Sequence, residues 1–384
     1  MQPAAIPASQ LVPDSGLLQA IQGRPETLTY FLCNVGDADA QVLLLPVDAS
    51  GRRRIVVVDA GRVKKVSTLL NDLDATLRLS GTGEPFIALV VATHPHDDHM
   101  AGLPELLTAF RGEIAEFWDP GYYHTIDAFH DAMSAIEADP QLLYANPTSG
   151  FRRWIGDTVI TVLSPSILLR NRFDSYGIEL NDSSISLKIE FPARRVEVRD
   201  DERVISDRVA SRTIILGGDA QTLSWSYVLT DFPFLKQSDT PAAKAIAAAT
   251  SNIDLLNADI LKVSHHASKN GVNLELIERI GPRITLVSSD STKSQWNFPH
   301  TVTQELIREA LVPIATKRPP PTRKNDWEIK LFYTCDTMEA APTPTSLGSV
   351  ALLVGPNDVR MWRFQDGPGE AIDVGKGLRW AKAL

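Results

Sequence analysis

Apolar residues follow two rhythms along the chain. Short runs rich in β-branched and aromatic residues come first: Leu28 to Asn34, Ala40 to Val47 and Arg54 to Val58, the last two separated by the turn cluster Asp48-Ala49-Ser50-Gly51. The chain therefore opens on a β-meander rather than a strand–helix–strand unit. Leu69, Leu70, Leu73 and Leu77 then recur at helical spacing and predict a helix over 63–79. Phe86 to Ala92 is almost uninterrupted and reads as a strand covered on both faces. Helices over 103–110 and 127–138 and a strand over 114–118 complete the first half.

The second half repeats this plan more loosely. Strands are expected over 158–163, 184–191, 213–216, 259–263 and 284–288, with helices over 223–229, 242–249, 274–280 and 302–311. Pro319-Pro320-Pro321 is an extended break, and strands over 328–333, 349–354 and 359–364 follow. No short period repeats. A meander followed by alternating helices and strands, twice over, points to an α/β fold of two mixed sheets packed face to face with helices outside. Residues 1–26 read as a lead-in with one short helix, 27–365 as a single domain and 366–384 as a tail. The segment 192–212, rich in Arg, Glu and Asp, reads as a solvated hairpin or loop.

Composition narrows the class. The chain has 384 residues, 38 Lys and Arg against 47 Asp and Glu, and a net charge of −9, with 43% hydrophobic and 22% charged residues. That is ordinary for a globular protein and excludes wholesale disorder, a collagen-like repeat and a coiled-coil rod. A core of several layers forms at this length without disulfides or a structural metal, so any metal site is expected to be functional. Cys33 and Cys335 are read as two half-buried reduced thiols of a cytoplasmic protein. The start, Met1-Gln2-Pro3-Ala4-Ala5-Ile6-Pro7, lacks the features of a signal peptide, and no apolar run approaches the ~18 residues that span a membrane. The acidic balance argues against a protein that coats nucleic acid, but not against a local basic groove.

The chemistry sits at strand ends. After Phe86 to Ala92 comes Thr93-His94-Pro95-His96-Asp97-Asp98-His99, three of the eight histidines within six residues. His94 and His96 alternate along extended backbone, so both imidazoles reach one side. Asp98 and His99 turn onto the start of a helix and face a second point. Imidazoles and one carboxylate in this pattern suit a divalent transition metal. Gly217-Gly218-Asp219 ends another strand, where the glycines permit close backbone approach and Asp219 could reach a metal. Ser264-His265-His266-Ala267-Ser268-Lys269 follows a third strand, and its two histidines read either as a ligand with a supporting or substrate-contacting partner or as two satisfied structural histidines. Asp59, at the end of Arg54 to Val58, is placed to accept a hydrogen bond from a ligand imidazole and fix its tautomer.

In this order the chain resembles the metallo-β-lactamase-fold hydrolases: Asp59 matches the first motif, His94, His96, Asp98 and His99 the second, Asp219 the bridging aspartate and His265 or His266 the last histidine. Four patches resemble the soluble hydrolase domain of ComEC-type competence proteins: Val35-Gly36-Asp37-Ala38-Asp39-Ala40, Asn181-Asp182-Ser183-Ser184, His265-His266-Ala267-Ser268 and Phe298-Pro299-His300. The resemblance implies a four-layer αββα sandwich and one or two divalent ions, Zn or Mn. One ion would be held by His94, His96 and Asp219 with water, the other by Asp98, His99, Asp219 and His265. Asp59 and Asp39 would support the ligands from behind. Many relatives add a histidine where this chain reads Val162-Leu163-Ser164-Pro165-Ser166; here His124 is the candidate extra ligand, with a polar rim residue as the alternative.

The expected chemistry is hydrolysis by a metal-activated hydroxide. Asp98 would orient it, and His266 or His300 would stabilise developing charge or protonate the leaving group. His265, which leaves the strand directly, is favoured over His266 as the ligand. Lys269, Ser268 and Asn181 are candidate substrate contacts. Following the resemblance, the first expectation is a phosphodiesterase, most of all a nuclease. The charge-rich stretches Arg52-Arg53-Arg54, Arg152-Arg153, Arg194-Arg195, Lys317-Arg318 and Arg323-Lys324 would attract phosphates, and Tyr122, Tyr123, Trp296 and Trp327 would offer stacking faces. The alternatives are hydrolysis of a small ester (a phosphoester, lactone or thioester) and a non-catalytic metal-binding scaffold. The partner expected is a hydrolysable substrate, with nucleic acid included and membranes excluded.

Overall fold

Successive residues of the central strands bury their side chains in different layers. Tyr30 and Leu32 face one core while Phe31 faces another, and Val56 and Val58 oppose Val57 in the same way. This explains why the strands read as unbroken apolar runs: both faces are covered. The structure, a computed structural model, describes residues 5–170, 179–193, 211–232, 256–290, 296–311, 330–340 and 342–384, and the backbone of 196–199 and 202–205.

Among the described residues, ten strands form one sheet. Its middle is the antiparallel meander Leu28–Leu32, Ala40–Leu44 and Ile55–Ala60, continued in parallel by Ile87–Val91, Glu116–Trp118 and Leu143–Ala145. On its other side lie Val350–Val354, Val359–Arg363, Gly377–Trp380 and Leu11–Asp14. Seven strands form the second sheet, in the order Leu331–Tyr333, Ile284–Val287, Ile260–Lys262, Arg212–Leu216, Ser186–Phe191, Thr158–Ser164 and Arg152–Ile155. The first four are parallel and the rest antiparallel. Both sheets are mixed, as the sequence predicts.

Three cores separate the layers. The inner one, between the sheets, packs Tyr30, Val58 and Leu352 against Ile160, Leu187 and Ile214. The outer face of the first sheet is covered by the helices Val63–Leu77 and Leu103–Ala109 through Leu69, Leu70, Leu73 and Leu106. The outer face of the second is covered by Thr222–Asp231, Leu274–Ile280 and Thr301–Leu311 through Trp225, Ile277 and Ile307. The result is the expected αββα sandwich. Each fully buried Leu or Ile in these layers contributes about 1.5–3 kcal/mol.

The segments set apart as lead-in and tail both enter the first sheet, where Leu11 pairs with Trp380 and Asp14 with Gly377. Within 192–212, Val196–Arg199 and Glu202–Ile205 pair as an antiparallel hairpin. Strands Leu143–Ala145 and Arg152–Ile155, at one edge of each sheet, have exposed or half-buried side chains and were not legible as apolar runs. Cys33 and Cys335 are both free, but Cys33 is fully buried rather than half-buried, because it lies in the layer between sheet and helices. Among the described residues no helix is long and apolar enough to cross a membrane. The helix expected over 242–249 and the triple-proline break lie outside the described residues.

Candidate metal centre

The strands that carry the sequence motifs end at one edge of the sandwich, with the motif residues just beyond them. Ile87–Val91 leads into Thr93, His94 and the short helix Asp97–Met100, which carries Asp98 and His99. Arg212–Leu216 leads into Gly217-Gly218-Asp219. Gly217 has no room for a side chain, since a Cβ there would stand 2.2 Å from Ser264 Oγ. This close approach brings the Asp219 turn against the segment that carries the two later histidines.

That segment is backbone-strained. His265, His266 and Ala267 all have left-handed φ, at 50°, 51° and 60°. Non-glycine residues occupy this region at a cost of order 1–3 kcal/mol each, and three in succession mark a turn held by its surroundings. Part of the hold is His266 Nδ1 donating to Ser288 O at 3.0 Å.

Asp98, His99, Asp219 and His266 converge, each offering a ligand atom within 4.8 Å of the others. His99 Nε2 lies 3.3 Å from Asp219 Oδ1 and 3.6 Å from Asp98 Oδ2, and His266 Nε2 lies 3.7 Å from Asp98 Oδ2 and 3.9 Å from Asp219 Oδ2. The sequence favoured His265 for this position. The geometry instead brings in His266, because the left-handed turn points the second imidazole inward. His265 Nε2 still lies 3.8 Å from Asp219 Oδ2, on the cleft side, with Asn181 Nδ2 at 3.4 Å.

Polar satisfaction tests whether an ion fits. His99 Nε2, His266 Nε2 and Asp219 Oδ1 are buried and make no hydrogen bond. Leaving such atoms unpaired costs about 1–3 kcal/mol each, and all three face the same point. Two imidazoles and two carboxylates are a donor set that suits Zn or Mn. The residues present fit a divalent ion.

Behind the ligands, Asp59 Oδ2 accepts a hydrogen bond from His99 Nδ1 at 2.8 Å, which turns Nε2 toward the centre. Thr93 holds Asp59 through its N–H at 2.7 Å and its hydroxyl at 2.8 Å. Asp39 pairs with Lys262, both fully buried, and its other oxygen lies 4.0 Å from His266 Nδ1. Lys262 was missed in the sequence, where a lone lysine in an apolar strand carries no motif.

The other two histidines of the motif adjoin the four-residue group, with the His94 ring centroid 4.2 Å from that of His99. His94 Nε2 lies 4.0 Å from Asp219 Oδ2 and 3.0 Å from His96 Nδ1. The His124 ring centroid is 6.0 Å from that of His96, and its Nδ1 accepts from Ile126 N at 3.4 Å, so it flanks this pair.

The electrostatics are strongly coupled. Burial works against charge on His99, yet Asp219, Asp59 and Asp98 hold it well above the usual histidine range. Burial likewise opposes charge on His266, which Asp219 and Asp98 raise. In Asp98 and Asp219 burial acts against ionisation, but His99 and His266 hold both carboxyls below their usual range. Burial, with His99 alongside, pushes His94 well down.

A cleft of about 1100 Å³ opens in front of the centre. Asn181, Ser268 and His300 line it. His300 Nδ1 accepts from Lys269 N at 2.9 Å, which leaves Nε2 as the donor when the ring is neutral. Lys269 is exposed and is not among the residues lining the cleft.

The described residues of the basic clusters expected to attract phosphate do not line the cleft either. Arg53 is buried and donates to Thr27 O, Leu45 O, Ile21 O and Arg24 O, while Arg52 and Arg54 pair with Glu84 and Arg153 with Glu116. Tyr122 is buried; Tyr123 is exposed but is not part of the cleft lining. Arg194, Arg195, Lys317, Arg318, Arg323, Lys324 and Trp327 lie outside the described residues.

A family model described as the metallo-beta-lactamase superfamily matches residues 47–196. No curated protein matches the chain. Among solved structures, the metallo-beta-lactamase fold protein YhfI from Bacillus subtilis is 12% identical, with 74% of this chain and 91% of that one covered and a TM-score of 0.35. A long form RNase Z from yeast is 12% identical, with 81% of this chain and 41% of that one covered and a TM-score of 0.38. CmlA, a diiron beta-hydroxylase from Streptomyces venezuelae, is 11% identical, with 74% and 50% covered and a TM-score of 0.37.

Proposed function

We propose that this protein is a metal-dependent hydrolase of a small ester. The observation that carries the reading is the convergence of Asp98, His99, Asp219 and His266 on one point at the floor of an open cleft. A divalent ion held by these four would polarise an ester oxygen and lower the pKa of water. The chain's own groups have separable tasks. Asp59 keeps the His99 ring in one tautomer. Asp98 accepts a proton or a hydrogen bond at the face that meets the cleft. His300 Nε2 donates toward the leaving group, and Asn181 and Ser268 contact substrate at the wall.

A small substrate suits the cleft better than a nucleic acid. Besides Asp98 and Asp219, which would hold the ion, Asp37, Asp97 and Asp290 line it and repel a polyanion. Among the described residues, Arg52, Arg53, Arg54 and Arg153, which would have supported a nuclease, are engaged elsewhere. The particular affinity to ComEC-type proteins stays a likeness of motifs.

The test is a substrate panel with added Zn or Mn: bis-p-nitrophenyl phosphate, p-nitrophenyl acetate, a lactone, single- and double-stranded DNA and RNA. Turnover of a small ester, reduced at least about 100-fold in Asp98→Ala, is expected. Cleavage of nucleic acid alone would reassign the substrate to a polymer. No turnover of any substrate with either metal would contradict the hydrolase.

A further inference from the structure

The charged lining of the cleft is lopsided. Among the described residues, its lining has five aspartates and one arginine, Arg62. Arg62 follows directly on Asp59-Ala60-Gly61, and Gly61 packs on the Asp98 backbone so tightly that a Cβ would stand 2.3 Å from Asp98 O. The Arg62 backbone is therefore rooted beside the metal centre. Its one hydrogen bond among the described residues is a long one, Nε to Val35 O at 3.4 Å, and no carboxylate pairs with it there. With no ion pair among the described residues, it is a planar, permanently charged donor on the cleft lining, the group best shaped for two oxygens of one anion.

The second-sheet side of the cleft is aromatic. Phe298 packs with its ring centroid 5.4 Å from that of His265 and 5.6 Å from that of His266. Two residues before it, Trp296 lines the same cleft with 62% of its surface exposed. A large indole left this open beside a polar site is a stacking face.

We propose that the cleft takes a phosphodiester of single negative charge bearing a flat aromatic group, with Arg62 binding the phosphoryl oxygens and Trp296 stacking on the ring. The inference rests on the hydrolase reading and names its substrate class. One negative charge is what this lining accommodates. Arg62 and a bound ion attract the phosphoryl group, while the carboxylates around them disfavour a dianionic monoester or a chain of phosphates.

Calorimetric titration of the metal-loaded protein with three probes, phenol release being followed in parallel, tests it: diphenyl phosphate, dimethyl phosphate and the neutral triester methyl diphenyl phosphate. Arg62→Ala is expected to weaken diphenyl phosphate at least about ten-fold and to leave the neutral triester unchanged. Trp296→Ala is expected to weaken diphenyl phosphate about ten-fold and to leave dimethyl phosphate unchanged. Both side chains are exposed, so unchanged melting temperatures are expected for the variants. Failure of diphenyl phosphate to bind, equal loss for the triester in Arg62→Ala, or no loss in Trp296→Ala would overturn the assignment. Binding of diphenyl phosphate with no turnover in the panel above would overturn the hydrolase and leave the ligand class standing. Turnover of neutral esters without diphenyl phosphate binding would do the reverse.

Discussion

Lys262 and Asp39 form a fully buried ion pair beneath the candidate metal centre, joining the strand that leads into His265 and His266 to the loop that follows Leu28–Leu32. The pair links the two sheets where their ends form the site. Its other carboxylate oxygen makes no hydrogen bond and faces His266 Nδ1. Breaking such a pair leaves a buried charge without compensation. Lys262→Met is therefore expected to lower stability by about 3–5 kcal/mol, read by chemical denaturation of the metal-free protein. Adding Asp39→Asn should restore part of the loss; a double variant no more stable than Lys262→Met would argue against the pairing.

Asp59→Asn tests the support behind His99. Asp59 has a left-handed φ of 60°, which asparagine tolerates, so the backbone is not newly strained. The amide keeps one acceptor where the carboxylate offered Thr93 and His99 two oxygens. Metal affinity, measured against a chelator, is expected to fall about 10–100-fold with the fold intact. Unchanged affinity would remove Asp59 from the centre's support.

Metal affinity should also depend on pH with a definite sign. His99 and His266 are held above the usual histidine range, so in the metal-free protein both bind a proton more tightly than a free imidazole does. An ion must displace those protons, so affinity rises with pH until the raised values are passed and then levels off. Asp98 and Asp219, held low, add no competition above the acidic range. Titrations at pH 6, 7 and 8 with proton release followed in parallel check this; affinity falling over that range would contradict it.

The arginine triplet yields a prediction of the opposite kind. Arg53 donates to four backbone carbonyls and burial pushes its pKa down to about 10. Arg53→Met is expected to lower stability by about 2–4 kcal/mol through acceptors left unpaired. Turnover per folded molecule should not change, because the residue lies outside the cleft.

The sandwich and the first histidine motif were legible because their signals are local. A run such as Phe86 to Ala92 declares a strand covered on both faces, and His94, His96, Asp98 and His99 lie within one turn of chain. The choice between His265 and His266 was not legible, since adjacent residues differ only in backbone direction and three left-handed φ values decide it. Lys262 and Arg53 were hidden for a shared reason: a charged side chain reads as solvent-facing until its distant partner is known. The pairing of Leu11–Asp14 with Gly377–Trp380 joins nearly the two ends of the chain, a contact no local pattern announces. Edge strands Leu143–Ala145 and Arg152–Ile155 lack the buried faces that give a strand its alternation.

The central claim is that Asp98, His99, Asp219 and His266 hold a divalent ion together. Cobalt(II) titration of the purified, chelator-treated protein, followed by the visible absorption of the bound ion, tests it most directly. Saturable binding is expected in the parent chain, lost in His266→Ala and retained in His265→Ala with the fold unchanged. No saturable binding by the folded parent chain, or equal binding after His266→Ala, would contradict the account.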